Sequence, residues 1–233
     1  MMLEPSPGAR GTPMDPARHP TAATATSDGP AELPVTPQER FVVGIYAALD
    51  RATSVQLDRL QREQGITASC KRSCSHCCRF HIVVSQAEVH ALAQHIRREF
   101  STEQLEQLRH RVEQWHQWDD SRPGRHAVAS TEPPPDLATY EQRCPLLVDG
   151  ECSAYPARPV ACRAHFVSSD PRDCRAAIDP QSTAPAPITL PAVLAGTGPF
   201  EAAVRGRGTE AGGDATRSLM LLPQALAIEL GWK

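Results

Sequence analysis

Four thiols fall within nine positions of CKRSCSHCC: Cys70, Cys74, Cys77 and Cys78, the last two adjacent. The chain's other four cysteines, Cys144, Cys152, Cys162 and Cys174, lie in CPLLVDGECSAYPARPVACRAHFVSSDPRDC, and the rest of the 233 residues contain none. Scattered core thiols do not cluster in this way; metal ligands do. No apolar run approaches the roughly 18 residues of a membrane span. The N-terminus MMLEPSPGARGTPMDPARHP lacks the basic head and apolar stretch of a secretory signal. The expected address is therefore cytoplasmic and reducing, where thiols ligate metal more readily than they form disulfides. A four-coordinate zinc or an iron–sulfur cube takes four thiolates, so eight suffice for two such centres or for one shared assembly.

The adjacent pair carries the most geometric information. Neighbouring side chains point to opposite faces of a strand and lie about 100° apart on a helix, so Cys77 and Cys78 are expected to serve different metals. A similar parity applies after Cys144. Asp149-Gly150 reads as a two-residue hairpin turn that sets Leu147 opposite Cys152, whereas Cys144 lies three positions before Leu147. Either Pro145 breaks the strand, or these two thiols also divide between centres. Both points suggest interleaved sites that staple the two cysteine segments together.

The surrounding sequence predicts helices. Residues 1–36, rich in Pro, Ala and Thr, cannot repay the entropy of ordering and read as a disordered tail. Thr36 and Pro37 then open a long helix ending near Gly65, with Phe41, Ile45, Leu49, Ala52, Val55 and Leu60 as its expected apolar stripe. Ser85 with Glu88 and Ser101 with Gln104 are capping boxes for two tandem helices, with stripes Val89, Leu92, Ile96 and Leu105, Leu108, Val112, Trp115. A Pro-rich stretch, EPPPDL, leads into the second cysteine segment. There Pro159 suits the start of a short helix carrying Cys162, and Asp170-Pro171 caps another with Cys174 in its first turn. The expected organisation is a cysteine-cluster domain over 37–180 and a C-terminal extension over 181–233, with a Gly-rich loop (GRGTEAGGD) and a docking helix near Pro223.

Other side chains add less. Lys71, Arg72, Arg79, Arg163, Arg172 and Arg175 stand beside the cysteines and can offset thiolate charge, since four thiolates on Zn²⁺ leave about two excess negative charges. His76, His81 and His165 are close enough in sequence to replace a thiolate or to support one. His90 and His95, five apart, do not share a helical face, and His110 and His116 read as solvent-facing. Trp115 and Trp118 read as core rather than as a nucleobase platform. A formal net charge of −3 provides no basic surface for nucleic acid. No nucleophile elbow or Gly-rich phosphate loop is present.

Cys70, Cys74 and Cys77 also satisfy C-x3-C-x2-C, the spacing of radical SAM enzymes. That fold needs a long series of strand–helix units after the motif, and here the chain continues as helices and a Pro-rich stretch. The whole arrangement instead resembles the YkgJ-like cysteine-cluster family, described as a zinc- or iron-chelating domain. The likeness rests on the first cluster and then on Cys144, Pro145, Leu146, Leu147, Gly150, Cys152, Tyr155, Arg158, Pro159, Cys162 and Arg163, closing at Cys174. The resemblance implies a bound zinc, iron or iron–sulfur centre with the eight cysteines as ligands. It implies little about activity. Flagellin lysine methylases carry a similar cluster, but no SAM-binding glycine motif is found here.

The expected fold is thus mainly α with a small β-hairpin, a metal-stapled cysteine-cluster domain. The expected function is binding of zinc or iron at a structural centre, with an unidentified protein partner and neither nucleic acid nor membrane. The alternative is a redox or metal-dependent enzyme, methylase-like or electron-transferring, using an iron–sulfur cluster or an open iron site.

Overall fold

The computed structural model describes residues 34–121, 142–179, 182–210 and 219–232, all within one packed unit, Leu33–Lys233. Helix α1, Pro37–Gln64, opens at Thr36, whose Oγ1 accepts the Glu39 N–H at 3.1 Å, and closes at Gly65 with φ 68°. The rest of the predicted tail, the EPPPDL stretch and residues 211–214 of the expected Gly-rich loop lie outside the described residues, whereas the first five residues of that loop, 206–210, are helical.

The buried face of α1 is rotated by about one residue from the predicted stripe. Glu39, Val42, Tyr46, Leu49, Thr53 and Leu60 are buried, while Val55 is 66% exposed. Two cations account for the rotation. Arg98 grips the Glu39 carboxylate with both terminal nitrogens, one at 2.8 Å, so that a charged residue is tolerated inside. Arg163 lies over the Tyr46 ring at 4.4 Å and covers the next turn.

Both predicted capping boxes form. Ser85 and Glu88 open α2, Gln86–Glu99. Ser101 and Gln104 exchange bonds of 2.8 and 3.2 Å at the start of α3, Thr102–Ser121. Helix α2 is buried on two faces rather than one. Ala87 and Ala91 meet Val42, Tyr46 and Leu49 of α1. Val89, Leu92, Ala93 and Ile96 meet Leu108 and Val112 of α3 and the C-terminal residues Leu222 and Leu226. The small alanines let one side of α2 approach α1 closely, which leaves the larger side chains for the other.

Two antiparallel strand pairs lie beside these helices. Strand β2, Leu147–Val148, pairs with β3, Glu151–Cys152, in the predicted register, Leu147 opposite Cys152. Its turn has φ 49° at Asp149 and 83° at Gly150, the left-handed pair that this hairpin needs. Strand β1, Val83–Ser85, pairs with β4, Leu219–Leu221, and so joins the end of the first cysteine segment to the C-terminal region of the chain. The expected division at 180/181 is therefore crossed by a ladder and by a shared core.

The remaining helices are α4, Val160–Ala164; α5, Pro171–Ala177; α6, Pro191–Ala195; α7, Gly198–Glu210; and α8, Leu222–Glu229, with its proline in the first turn. Among the described residues no helix is long and apolar enough to cross a membrane.

One latch holding α8 is pH-sensitive. His90 Nδ1 lies 2.8 Å from Glu229 Oε1, and this hydrogen bond holds the Glu229 carboxyl below the usual carboxylate range. A carboxyl lowered on folding contributes stability above its unfolded value, about 4.3, and the contribution is lost as pH falls through the folded value. Glu229→Gln is expected to flatten the acid limb of Tm against pH while leaving the neutral plateau slightly lower. An acid limb identical to wild type would contradict this.

Candidate metal centre

Local structure decides how the thiols are presented. Cys77 and Cys78 lie on a single 3-10 turn, His76–Arg79, where successive side chains rotate by about 120°. Cys162 is carried by α4, and Cys174 by the first turn of α5, whose cap Asp170 accepts the Arg172 N–H at 2.8 Å. The parity question at the hairpin is answered by Pro145: Cys144 to Leu147 form a turn closed by a 3.0 Å bond, and β2 starts only at Leu147. With the strand broken, Cys144 and Cys152 reach the same space.

That space is a cavity of about 310 Å³ lined by six of the eight cysteines: Cys74, Cys77, Cys78, Cys144, Cys152 and Cys162. The two cysteine segments meet directly there, with Cys144 N–H donating to the Cys78 carbonyl at 2.7 Å. Cys70 and Cys174 lie outside the lining, yet the charge of Cys70 acts on Cys174, and those of Cys74 and Cys77 act on both. All eight are free thiols.

Electrostatics oppose ionisation of these thiols when no cation is present. Burial pushes Cys144 and Cys152 up and raises Cys162 to about 12, with neighbouring thiolates adding to each shift. A hydrogen bond with Cys78, followed by burial, pushes Cys77 up strongly. Burial and then the charges of Cys70, Cys74 and Cys77 raise Cys174 to about 11. Burial also raises Cys70, partly offset by the Val167 N–H, which donates to its sulfur at 3.4 Å. A divalent cation reverses this balance by replacing the protons.

The donor set selects the kind of ion. Among the described residues no carboxylate lines the cavity, whose soft donors are thiols and the imidazoles of His81 and His165. Sulfur and nitrogen donors suit zinc, iron or an iron–sulfur cluster, not the hard-oxygen cations magnesium and calcium. Among the described residues no three Cys, His, Asp or Glu side chains are already drawn into a set that could hold a metal ion. The chemistry of the donors thus fits such a group, while closing on an ion needs further movement of the thiols.

The other candidates divide. His81 packs against Trp115 and Trp118, with ring centroids at 5.6 and 6.0 Å, and burial pushes His165 down. His76 is outside the cavity lining, His90 and His95 are far along α2, and His110 is exposed. His116 is half-buried, edge-on to Trp115, rather than solvent-facing. Trp115 is core, 2% exposed, and also contributes to the cavity wall.

Of the predicted charge-offsetting cations, Arg163 is a structural clamp. Its side chain is 5% exposed and donates to Asp50 and to the carbonyls of Pro156 and Arg158. Arg172 pairs with its own cap, Asp170, at 3.4 Å. The cation acting on Cys77, Cys152 and Cys162 is Arg158, held 3.6 Å over the Tyr155 ring. Charge reading by sequence proximity passed over it, because it stands four positions from Cys162; the Tyr-x-x-Arg spacing before α4 was the available signal. Glu88 was also missed: besides its capping-box role, its Oε1 accepts the Val160 N–H at 2.9 Å and so caps the helix that carries Cys162.

No curated protein and no solved structure matches the chain. Residues 69–179, the span that contains all eight cysteines, match the family model CxxCxxCC, described as "Putative zinc- or iron-chelating domain". In this region, just under half of its length, the chain is thus similar to zinc- or iron-chelating domains.

Proposed function

We propose that the chain is a cysteine-ligated zinc or iron protein whose eight thiols, Cys70, Cys74, Cys77, Cys78, Cys144, Cys152, Cys162 and Cys174, hold two ions in a structural role. The observation that carries this reading is the convergence of six thiols from two distant segments on one cavity without a carboxylate. The charges of Cys70 and Cys74 act on Cys174, which groups these three, and those of Cys152 and Cys162 act on Cys144, which groups the others. One member of the Cys77–Cys78 pair completes each quartet; their thiols are hydrogen-bonded to one another and so stand where the two quartets meet. Four thiolates saturate a tetrahedral ion and leave it no position for substrate, which is why the role is structural. A reducing, cytoplasmic setting keeps such thiols available.

The residues have distinct tasks. The cysteines ligate, Arg158 offsets their charge, and Glu88 and Arg163 set the segment from Tyr155 to Ala164 in place. A metal ion supplies the positive charge that holds the thiolates together.

One observation favours the second reading, a redox or metal-dependent enzyme. The cavity continues past the thiols to an apolar wall that includes Ile82, Trp115, Leu221 and Leu222, room that a saturated ion does not use. Metal analysis of anaerobically purified protein separates the two. Colourless protein with about two zinc per chain is expected, and Cys77→Ser and Cys78→Ser should each remove a different equivalent. Brown protein with acid-labile sulfide would favour the redox reading, and protein without metal would end both.

A further inference from the structure

Metal ligation leaves one side of the cavity without a task. Three guanidinium groups, those of Arg72, Arg79 and Arg158, line it together with the amide of Gln142, and among the described residues no carboxylate does. Two of the three gather on one ring: Arg158 stands 3.6 Å and Arg72 5.1 Å from the centroid of Tyr155. Like charges held this close repel one another, and a nearby anion removes that cost.

The thiolates supply part of the negative charge, since Arg158 acts on Cys77, Cys152 and Cys162. They do not use all of its donors. Arg158 Nε is buried and has no hydrogen-bond partner among the described residues, a costly state for an N–H out of water. Arg72 forms an ion pair with Glu151 at 4.0 Å, and both side chains are more than half exposed, so that contact contributes little.

Beside these cations the wall is apolar. Ile82, Trp115, Leu146 and Leu222 line it, and the last three are buried core residues, which fixes the shape of this side. An ion bound by thiolates is enclosed by its sulfurs and needs neither the guanidiniums nor this wall. The cavity, about 310 Å³, reaches the lower end of the range for small-molecule sites, roughly 300 to 1,000 Å³.

We propose that the cavity also binds a small organic acid, an aromatic or branched aliphatic body with one carboxylate. The body lies against Ile82, Trp115 and Leu222. The carboxylate accepts from Arg72 and from Arg158 Nε, because a planar guanidinium matches its two oxygens. Apolar contact supplies affinity and the cations select the charge. This inference rests on the proposed metal ligation, which holds the thiol-bearing part of the wall, but not on the choice between zinc and iron.

The test titrates the metal-loaded full chain by calorimetry with 4-phenylbutanoate and, as its neutral match, 4-phenylbutanamide. One acid per chain is expected, with the amide weaker by about tenfold or more. Arg72→Gln, a change at an exposed side chain, should weaken the acid by about fivefold and leave the amide unchanged. In the zinc-loaded chain the acid should also shift the indole N–H resonance of Trp115, a readout that needs no variant. Equal affinity for acid and amide, binding of neither, undiminished acid affinity in Arg72→Gln, or an unmoved Trp115 resonance overturns the inference. Failure of the ligation itself is distinct: it is seen as absence of metal before any acid is added.

Discussion

Stripping metal from the reduced full chain is expected to abolish ordered structure in 66–82 and 168–179 while α1, α2, α3 and α8 remain helical. The first of these segments, from Cys70 to Ile82, has no buried residue to hold it, so little apolar burial opposes its conformational entropy. A structural zinc contributes on the order of 10 to 16 kcal/mol in apparent terms, comparable with the ~5 to 15 kcal/mol of a whole domain. The helices keep a separate source of stability, since Leu92, Ile96, Leu108 and Leu226 are fully buried against one another. Hydrogen exchange on the chelated protein, compared with the metal-loaded form, reads both halves of the result. Unchanged protection in the cysteine segments would show that metal does not hold them.

Glu88→Ala is expected to cost on the order of 3 to 5 kcal/mol and to weaken metal binding through Cys162. The Glu88 carboxylate is buried and accepts from Ser85 N–H at 3.0 Å, from the Ser85 hydroxyl at 2.9 Å and from Val160 N–H at 2.9 Å. Truncation strands these donors out of water and frees the start of α4, the helix that presents Cys162. Glu88→Gln keeps the volume and one acceptor oxygen but turns its NH2 toward either Ser85 or the Val160 N–H, so it should recover only part of the stability. Denaturant unfolding of the metal-free forms measures the scaffold, and zinc competition measures the site. Equal zinc affinity in wild type and Glu88→Ala would separate Glu88 from the centre.

The features visible from sequence were those that neighbouring residues decide. Thr36-Pro37, Ser85 with Glu88, Ser101 with Gln104 and Asp170-Pro171 each start the helix they predict, because a cap is satisfied within three or four positions. Asp149-Gly150 sets the hairpin register for a similar reason: two left-handed residues admit one pairing. The eight cysteines, by number and spacing, pointed to the likeness with zinc- or iron-chelating domains and to the chemistry of the donors.

Tertiary structure alone decided which surfaces meet. The buried face of α1 depends on Arg98 and Arg163, cations lying 59 and 117 positions from the side chains they cover or pair with at Glu39 and Tyr46. Strand β4 becomes recognisable only when β1 lies beside it, and α2 reads as one-sided until α1 covers its second face, Ala87 and Ala91. Arg158 reaches Cys77 because the chain folds back at Tyr155, and Glu88 reaches Val160 across 72 positions. Local patterns record the bonds that a residue makes with its neighbours. The partner of a buried charge, or the second face of a central helix, is set by burial between distant segments, for which a one-dimensional pattern has no coordinate.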